Sequence, residues 1–262
     1  MLGRISGSLF RIRLRQSSDR TSSSVRARKG RSEPDAERFH IQQLSAGVGV
    51  QAASGFVARR AAMIDPPAQA LPMIVVTGLP RSGTSMMMRM LEAGGVPVIL
   101  DGVRRADLDN PNGYYEYEPV KRLKQESSWV AGASGKAVKM VYLLLHDLPP
   151  SLTYNVIFMR RVLQEIVASQ DEMLRRSGTQ VSPDESRRLI GLFRDELRAF
   201  EAWLATTQNF RVLYVDYNQT IDKPQETSAR IKGFLGVDLD EGRMQSVVTP
   251  ALYRQRRTVI QP

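Results

Sequence analysis

At 262 residues, with a pI near 10.1, 42% hydrophobic residues and no cysteine, the chain is long enough for one buried α/β domain and closed to disulfides and thiolate catalysis. Its only histidines are His40 and His146, so a His/Cys zinc cluster is excluded, and a Ser-His-Asp hydrolase would have His146 alone with no G-x-S-x-G turn to serve it. Residues 1–62 hold 12 of the 37 Lys and Arg but 4 of the 27 Asp and Glu, so the basic pI belongs mostly to that leader and implies no nucleic-acid-binding core.

The leader is rich in Arg, Ser and Gly, lacks acidic residues before Asp19, and has no apolar run long enough for a signal peptide or a membrane span. It reads as a disordered extension, or as sequence upstream of a true start at Met63, in preference to an organelle transit segment. The expected division is therefore 1–62 and 63–262. From Met73 onward strands and helices alternate, which predicts a three-layer α/β/α domain with a mainly parallel central sheet. Residues 73–76 read as a buried strand, 77–83 as a turn with glycines at both ends, and Thr84 as the start of a helix. Gly94, Gly95 and Pro97 stop that helix before a second strand at 98–100, and 101–113 is polar and turn-rich. Residues 114–130 are expected to be helical, and 137–142 and 155–159 to be strands. Ser182-Pro183-Asp184-Glu185 is a capping box opening a long helix that lines Leu189, Phe193, Leu197, Phe200 and Leu204 along one face. A strand at 211–215 and a helix at 225–234, closed by Gly236, complete the pattern.

Strand, glycine turn and helix in that order form a phosphate-binding loop, where backbone N–H groups and the helix N-terminus converge on an anion. Against the Walker template G-x-x-x-x-G-K-[ST], Gly78, Gly83 and Ser85 fit, but Thr84 stands at the lysine position. Ordinary phosphoryl transfer uses that lysine on the β- and γ-phosphates, so its loss argues against a kinase or NTPase. The loop carries a cation of its own at Arg81.

The run Leu79-Pro80-Arg81-Ser82-Gly83-Thr84-Ser85 resembles the loop of sulfotransferases, usually P-[KR]-S-G-T-[ST]. The resemblance implies that residues Pro80, Arg81, Ser82, Gly83, Thr84 and Ser85 bind the 5′-phosphosulfate of 3′-phosphoadenosine 5′-phosphosulfate (PAPS). A second stretch agrees. Arg161 at the end of a strand and Ser169 eight residues later, with Glu165 between them, resemble the family's pair for the 3′-phosphate. An arginine there faces the crevice where α/β sheets bind ligands, and its planar fork suits a phosphate. Val162-Leu163-Gln164 departs from the family's frequent R-[DN]-P-x-D. Residues 110–119 and 210–236 are also similar to small bacterial sulfotransferases, although Tyr217-Asn218 replaces a Tyr-Glu.

The resemblance implies transfer of a sulfonate group from PAPS to a hydroxyl or amine. Such transfer needs held charge, a stabilised leaving oxygen and a base. Arg81 and the loop N–H groups suit the first two, and Lys139, at the end of the strand 137–140, is the candidate second cation. Glu116, Glu118 and His146 are the candidate bases, Glu116 foremost; on a helix, Glu116 and Glu118 would point different ways. Tyr114, Tyr115 and Tyr117 are candidate acceptor-pocket walls. The expected partner is a small-molecule or glycan acceptor, with no metal, no nucleic acid at the core and no membrane span, in the cytoplasm. Two alternatives stay open. One is a nucleotide kinase or NTPase, with 212–216 imitating a Walker B strand ending in Asp216; the other is a non-catalytic nucleotide binder using the basic leader.

Overall fold

The computed structural model describes residues 71–253 except Leu108, so the leader and its boundary lie outside the described residues. In chain order the elements are β1 (Met73–Gly78), α1 (Thr84–Ala93), β2 (Val98–Ile99), β3 (Ala137–Lys139), β4 (Tyr154–Arg160), α2 (Leu163–Arg176), α3 (Pro183–Thr206), β5 (Phe210–Asp216), α4 (Tyr217–Asp222), α5 (Pro224–Leu235) and α6 (Glu241–Ser246). The five strands are all parallel, in the order β2-β3-β1-β4-β5. β1 is central, and all six of its residues are buried, as a strand covered on both faces requires.

Alternate residues of the strands enter two different layers. Ile74 and Val76 of β1, with Ile157 and Met159 of β4, pack on Met87, Met88 and Leu91 of α1, Ile231 of α5 and Met244 of α6. The opposite parity of β4 meets α3, where Phe158 lies 5.9 Å from Phe200 between ring centroids. This is the expected α/β/α sandwich. The capping box at the head of α3 is present in both directions: the Ser182 hydroxyl accepts from Glu185 N, and the Glu185 carboxylate accepts from Ser182 N. Leu189, Phe193, Phe200 and Leu204 are buried on its inner face, while Leu197 is half-buried. Gly236, at φ 68°, closes α5 in the left-handed conformation.

Two expectations fail locally. Residues 114–130 form no α-helix; 114–117 run without helix into a 3₁₀ turn, Glu118–Arg122, and a second follows at Ser128–Ala133. Pro119 at the first turn and Tyr115 at φ 53° break any continuous helix here. The strand expected over 137–142 ends at Lys139, because Tyr142 turns inward to pack on Phe200 at 5.1 Å and donates to Glu196 at 2.6 Å. Among the described residues no helix is long and apolar enough to cross a membrane.

The connection from β1 leads outward to β2 on one side, and that from β4 leads to β5 on the other. Adjacent strands whose connections part in this way open a crevice at their C-terminal ends, the usual ligand position in such sheets. Gly78 and Arg160 end those two strands.

Candidate active site

The loop between β1 and α1 is shaped by what its glycines cannot carry. A Cβ on Gly78 (φ 149°) would come within 2.6 Å of both the Met159 carbonyl oxygen and Ser82 Oγ. One on Gly83 (φ 98°) would come within 2.3 Å of Tyr217 Cδ2. Ser82 N donates to the Leu79 carbonyl at 3.1 Å, which tightens the turn through Pro80 and Arg81. Ser82 is fully buried, and its hydroxyl has no hydrogen-bond partner among the described residues. Thr84 and Ser85 open α1, which has neither a side-chain cap nor an acidic residue in its first turn. The orphan N–H groups and positive end of that helix therefore face the loop uncompensated by side chains.

Arg81 holds a left-handed backbone (φ 72°) and joins the loop to the second predicted motif. Its Nε donates to Ser169 Oγ at 3.0 Å, and its Nη2 to the Asp109 carbonyl at 3.4 Å. Burial lowers the Arg81 pKa, with the Asp109 carboxylate pulling the other way. Arg161 donates through Nη1 to the Arg81 carbonyl at 3.0 Å and through Nε to Glu165 at 3.1 Å. Its guanidinium carbon lies 4.5 Å from the ring centre of Tyr217 and 5.3 Å from that of Tyr253. Glu165 is 4% exposed and also accepts from Asn218 Nδ2 at 3.2 Å and from the Tyr253 hydroxyl at 2.6 Å. Burial, then the bond to Glu165, push the Tyr253 phenol up to about 12.

On the other side of the loop, Lys139 Nζ donates to the Tyr114 carbonyl and lies 3.4 Å from Ser85 Oγ. Burial pushes its ammonium down to about 8, opposed by the charge of Glu116. Ser85 Oγ donates to the Tyr114 carbonyl at 3.2 Å and accepts from Asn110 Nδ2 at 3.2 Å. Residues 104–107 and 109–116 therefore lie as a strap against the loop, touching Arg81 through Asp109 and Ser85 through Asn110. The Tyr114 hydroxyl bonds both carboxylate oxygens of Asp107, at 2.7 and 2.8 Å, and Arg104 stacks 3.3 Å from the ring centre of Tyr114. Glu116 pairs with Arg104 at 2.7 Å and lines a cavity of about 220 Å³ with Leu100, Tyr114 and Tyr115.

The structure thus brings Arg81, Ser169 and Arg161 together, and Lys139, Ser85 and Glu116 beside them. The other two candidate bases are engaged by other side chains. Glu118 pairs with Lys121 at 2.5 Å, and His146 stacks 3.8 Å from Trp203 and 5.5 Å from Phe200 of α3. Asp216 caps α4 by accepting from Gln219 N at 2.8 Å, which gives the Walker-B-like strand end a structural use. Several members of the site went unread in the sequence: Tyr253, Asn218 as a ligand of Glu165, and Arg104, Asp107 and Asp109 of the strap. Asn110 lies within the family-like stretch 110–119, so its position was legible; Tyr253 carries no local signal.

A family model described as a sulfotransferase domain matches residues 71–258. No curated protein matches the sequence. Among solved structures, mouse sulfotransferase SULT7A1 complexed with PAP is similar at 16% identity and a TM-score of 0.43, over 69% of this chain and 63% of that one. The chain thus spans under two thirds of the mouse structure's length. STF1 from Mycobacterium tuberculosis H37Rv gives 18% and 0.41, over 68% of this chain and 71% of that one. A sulfotransferase from Alicyclobacillus acidocaldarius gives 14% and 0.40, over 71% of this chain and all of that one.

Proposed function

The chain belongs to the sulfotransferase domain family, and on that premise we propose that it transfers a sulfonate group from PAPS to a hydroxyl or amine of a small-molecule or glycan acceptor. One observation supports this reading: Arg161 and Ser169 both bond to Arg81, which sets the pair directly beside the loop. PAPS carries anionic groups at its 5′ and 3′ positions. The residues present fit them, since the glycine cradle admits no Cβ and the buried Ser82 hydroxyl has a bond to give. The loop, from Pro80 through Arg81, Ser82, Gly83 and Thr84 to Ser85, would hold the phosphosulfate, and Arg161 with Ser169 the 3′-phosphate.

In transfer, the acceptor's oxygen or nitrogen forms a bond to sulfur as the bond from sulfur to the phosphate oxygen breaks, with PAP leaving. Arg81 and Lys139 supply positive charge for that leaving oxygen. Glu116 takes the acceptor's proton, and its ion pair with Arg104 must loosen for it to do so. The cavity beside Glu116 is the acceptor's place in this reading. The cysteine-free sequence fits the reducing cytoplasm as the site of action.

Calorimetry with PAP, 5′-AMP and ATP, each with and without Mg²⁺, tests the donor. PAP is expected to bind without metal and about 10- to 150-fold more tightly than 5′-AMP, the scale of one charge-assisted contact. Equal affinities would remove the 3′-phosphate assignment, and Mg²⁺-dependent preference for ATP would favour the kinase reading.

A further inference from the structure

Arg161 does not stand alone in the crevice. Its Nε is bonded to Glu165 at 3.1 Å, and that carboxylate is nearly sealed from solvent. A buried carboxylate is stable only when its oxygens are satisfied, and three donors converge on this one: Arg161, Asn218 at 3.2 Å and the Tyr253 hydroxyl at 2.6 Å. Asn218 Nδ2 also bonds the Tyr253 hydroxyl. The donors come from separate parts of the chain: the link between β4 and α2, the start of α4, and the segment after the 3₁₀ turn Pro250–Leu252. Tyr217 and Tyr253 meet edge to face at 5.5 Å, and both rings lie close to the guanidinium of Arg161. A long, flexible side chain is thereby fixed in rotation by Glu165 at one edge and by two rings beside it. Its Nη1 remains pinned to the Arg81 carbonyl of the phosphate loop.

We propose that Glu165 and Tyr253 are positioning residues that act through Arg161 to set the preference for a nucleotide carrying a 3′-phosphate. The proposal rests on the reading of Arg161 as the 3′-phosphate group. Tyr253 fixes Glu165 from the C-terminal segment, and Glu165 fixes the plane of the Arg161 fork. Neither residue needs to touch the nucleotide.

The test is calorimetric titration of the full chain with PAP and with 5′-AMP, comparing wild type, Tyr253→Phe, Glu165→Gln and Arg161→Ala. Each positioning variant is expected to weaken PAP about tenfold and 5′-AMP by less than about twofold, the scale at which outer-shell partners tune a ligand-binding group. In an Arg161→Ala background, Tyr253→Phe should add nothing. A merely structural role predicts equal weakening of both nucleotides, and that result overturns the proposal, as does an effect of Tyr253→Phe that persists without Arg161. Tyr253→Phe removes a single oxygen and decides the matter should Glu165→Gln fail to fold. Wild-type protein without a preference for PAP would sink the 3′-phosphate reading and this proposal together. A wild-type preference that Tyr253→Phe leaves unchanged would sink this proposal alone.

Discussion

Lys139 ends β3 with its ammonium drawn under the strap, against the Tyr114 carbonyl and near Ser85. Burial lowers its pKa from 10.5 to about 8 despite the neighbouring charge of Glu116. The unfolded chain then holds this proton more tightly than the folded one, so the group's contribution to stability rises with pH from about 8 to 10.5. Binding has the opposite sign. An anion placed beside Lys139 favours the charged form, so binding takes up a proton once the free side chain has lost it. PAP affinity is therefore expected to fall as pH rises from about 7.5 to 9.5, and Lys139→Met should flatten that fall. Titrations across this range, with proton uptake read from two buffers of different ionisation enthalpy, would check it. The same slope in Lys139→Met would place the titrating group elsewhere. Arg81 shows a second kind of cost at this scale, since a left-handed non-glycine residue is unfavourable by about 1–2 kcal/mol. Its carbonyl is held by Arg161 and its side chain by Ser169, so two contacts fix the residue in that conformation.

The turn into α1 depends on Gly83 for two separable reasons, its φ of 98° and the Tyr217 ring 2.3 Å from where a Cβ would sit. Gly95, just past the helix, shares the conformation at φ 99° but has nothing within 4 Å of a Cβ. Gly95→Ala should therefore cost about 1–2 kcal/mol, from backbone strain alone. Gly83→Ala should cost about 2–4 kcal/mol and abolish PAP binding, because the ring it displaces flanks Arg161. Urea unfolding of both variants would measure the difference, and equal losses would show that Tyr217 yields freely. Legibility from sequence divides along the same line between local and distant causes. β1, its loop, the Arg161/Ser169 pair and the Ser182 capping box were readable because each is written within about ten consecutive residues. Glu116 was legible as a candidate base but its setting was not, since Pro119 and a left-handed Tyr115 keep it out of the expected helix and Arg104 holds it there. Tyr253 bonds Glu165 across 88 residues of sequence, and no periodicity or motif marks such a pair. The Walker-B-like end of β5 shows the converse: a motif legible in sequence whose aspartate is used as a helix cap.

At the scale of the whole chain, the question is whether the domain needs the first 62 residues. The described sheet begins at Met73, and the family match begins at residue 71. Among the described residues, both buried layers are supplied by the strands and helices between β1 and α6, and a domain of about 200 residues can bury a core of its own. The leader's charge is the remaining consideration, because a strongly basic segment attracts any anion, PAP included. That attraction is screened over about 8 Å at physiological ionic strength, whereas the paired contacts around Arg161 are local and partly buried. A chain starting at Met63 is therefore expected to keep one cooperative melting transition and to bind PAP within about twofold of the full chain in 0.15 M salt. At low salt the full chain should bind PAP more tightly, and the gap should close as salt is added. Melting curves and PAP titrations of both chains over a salt series give the result. Loss of the cooperative transition on truncation, or a PAP affinity gap that salt does not close, would make the leader part of the domain and move the boundary drawn at residue 63.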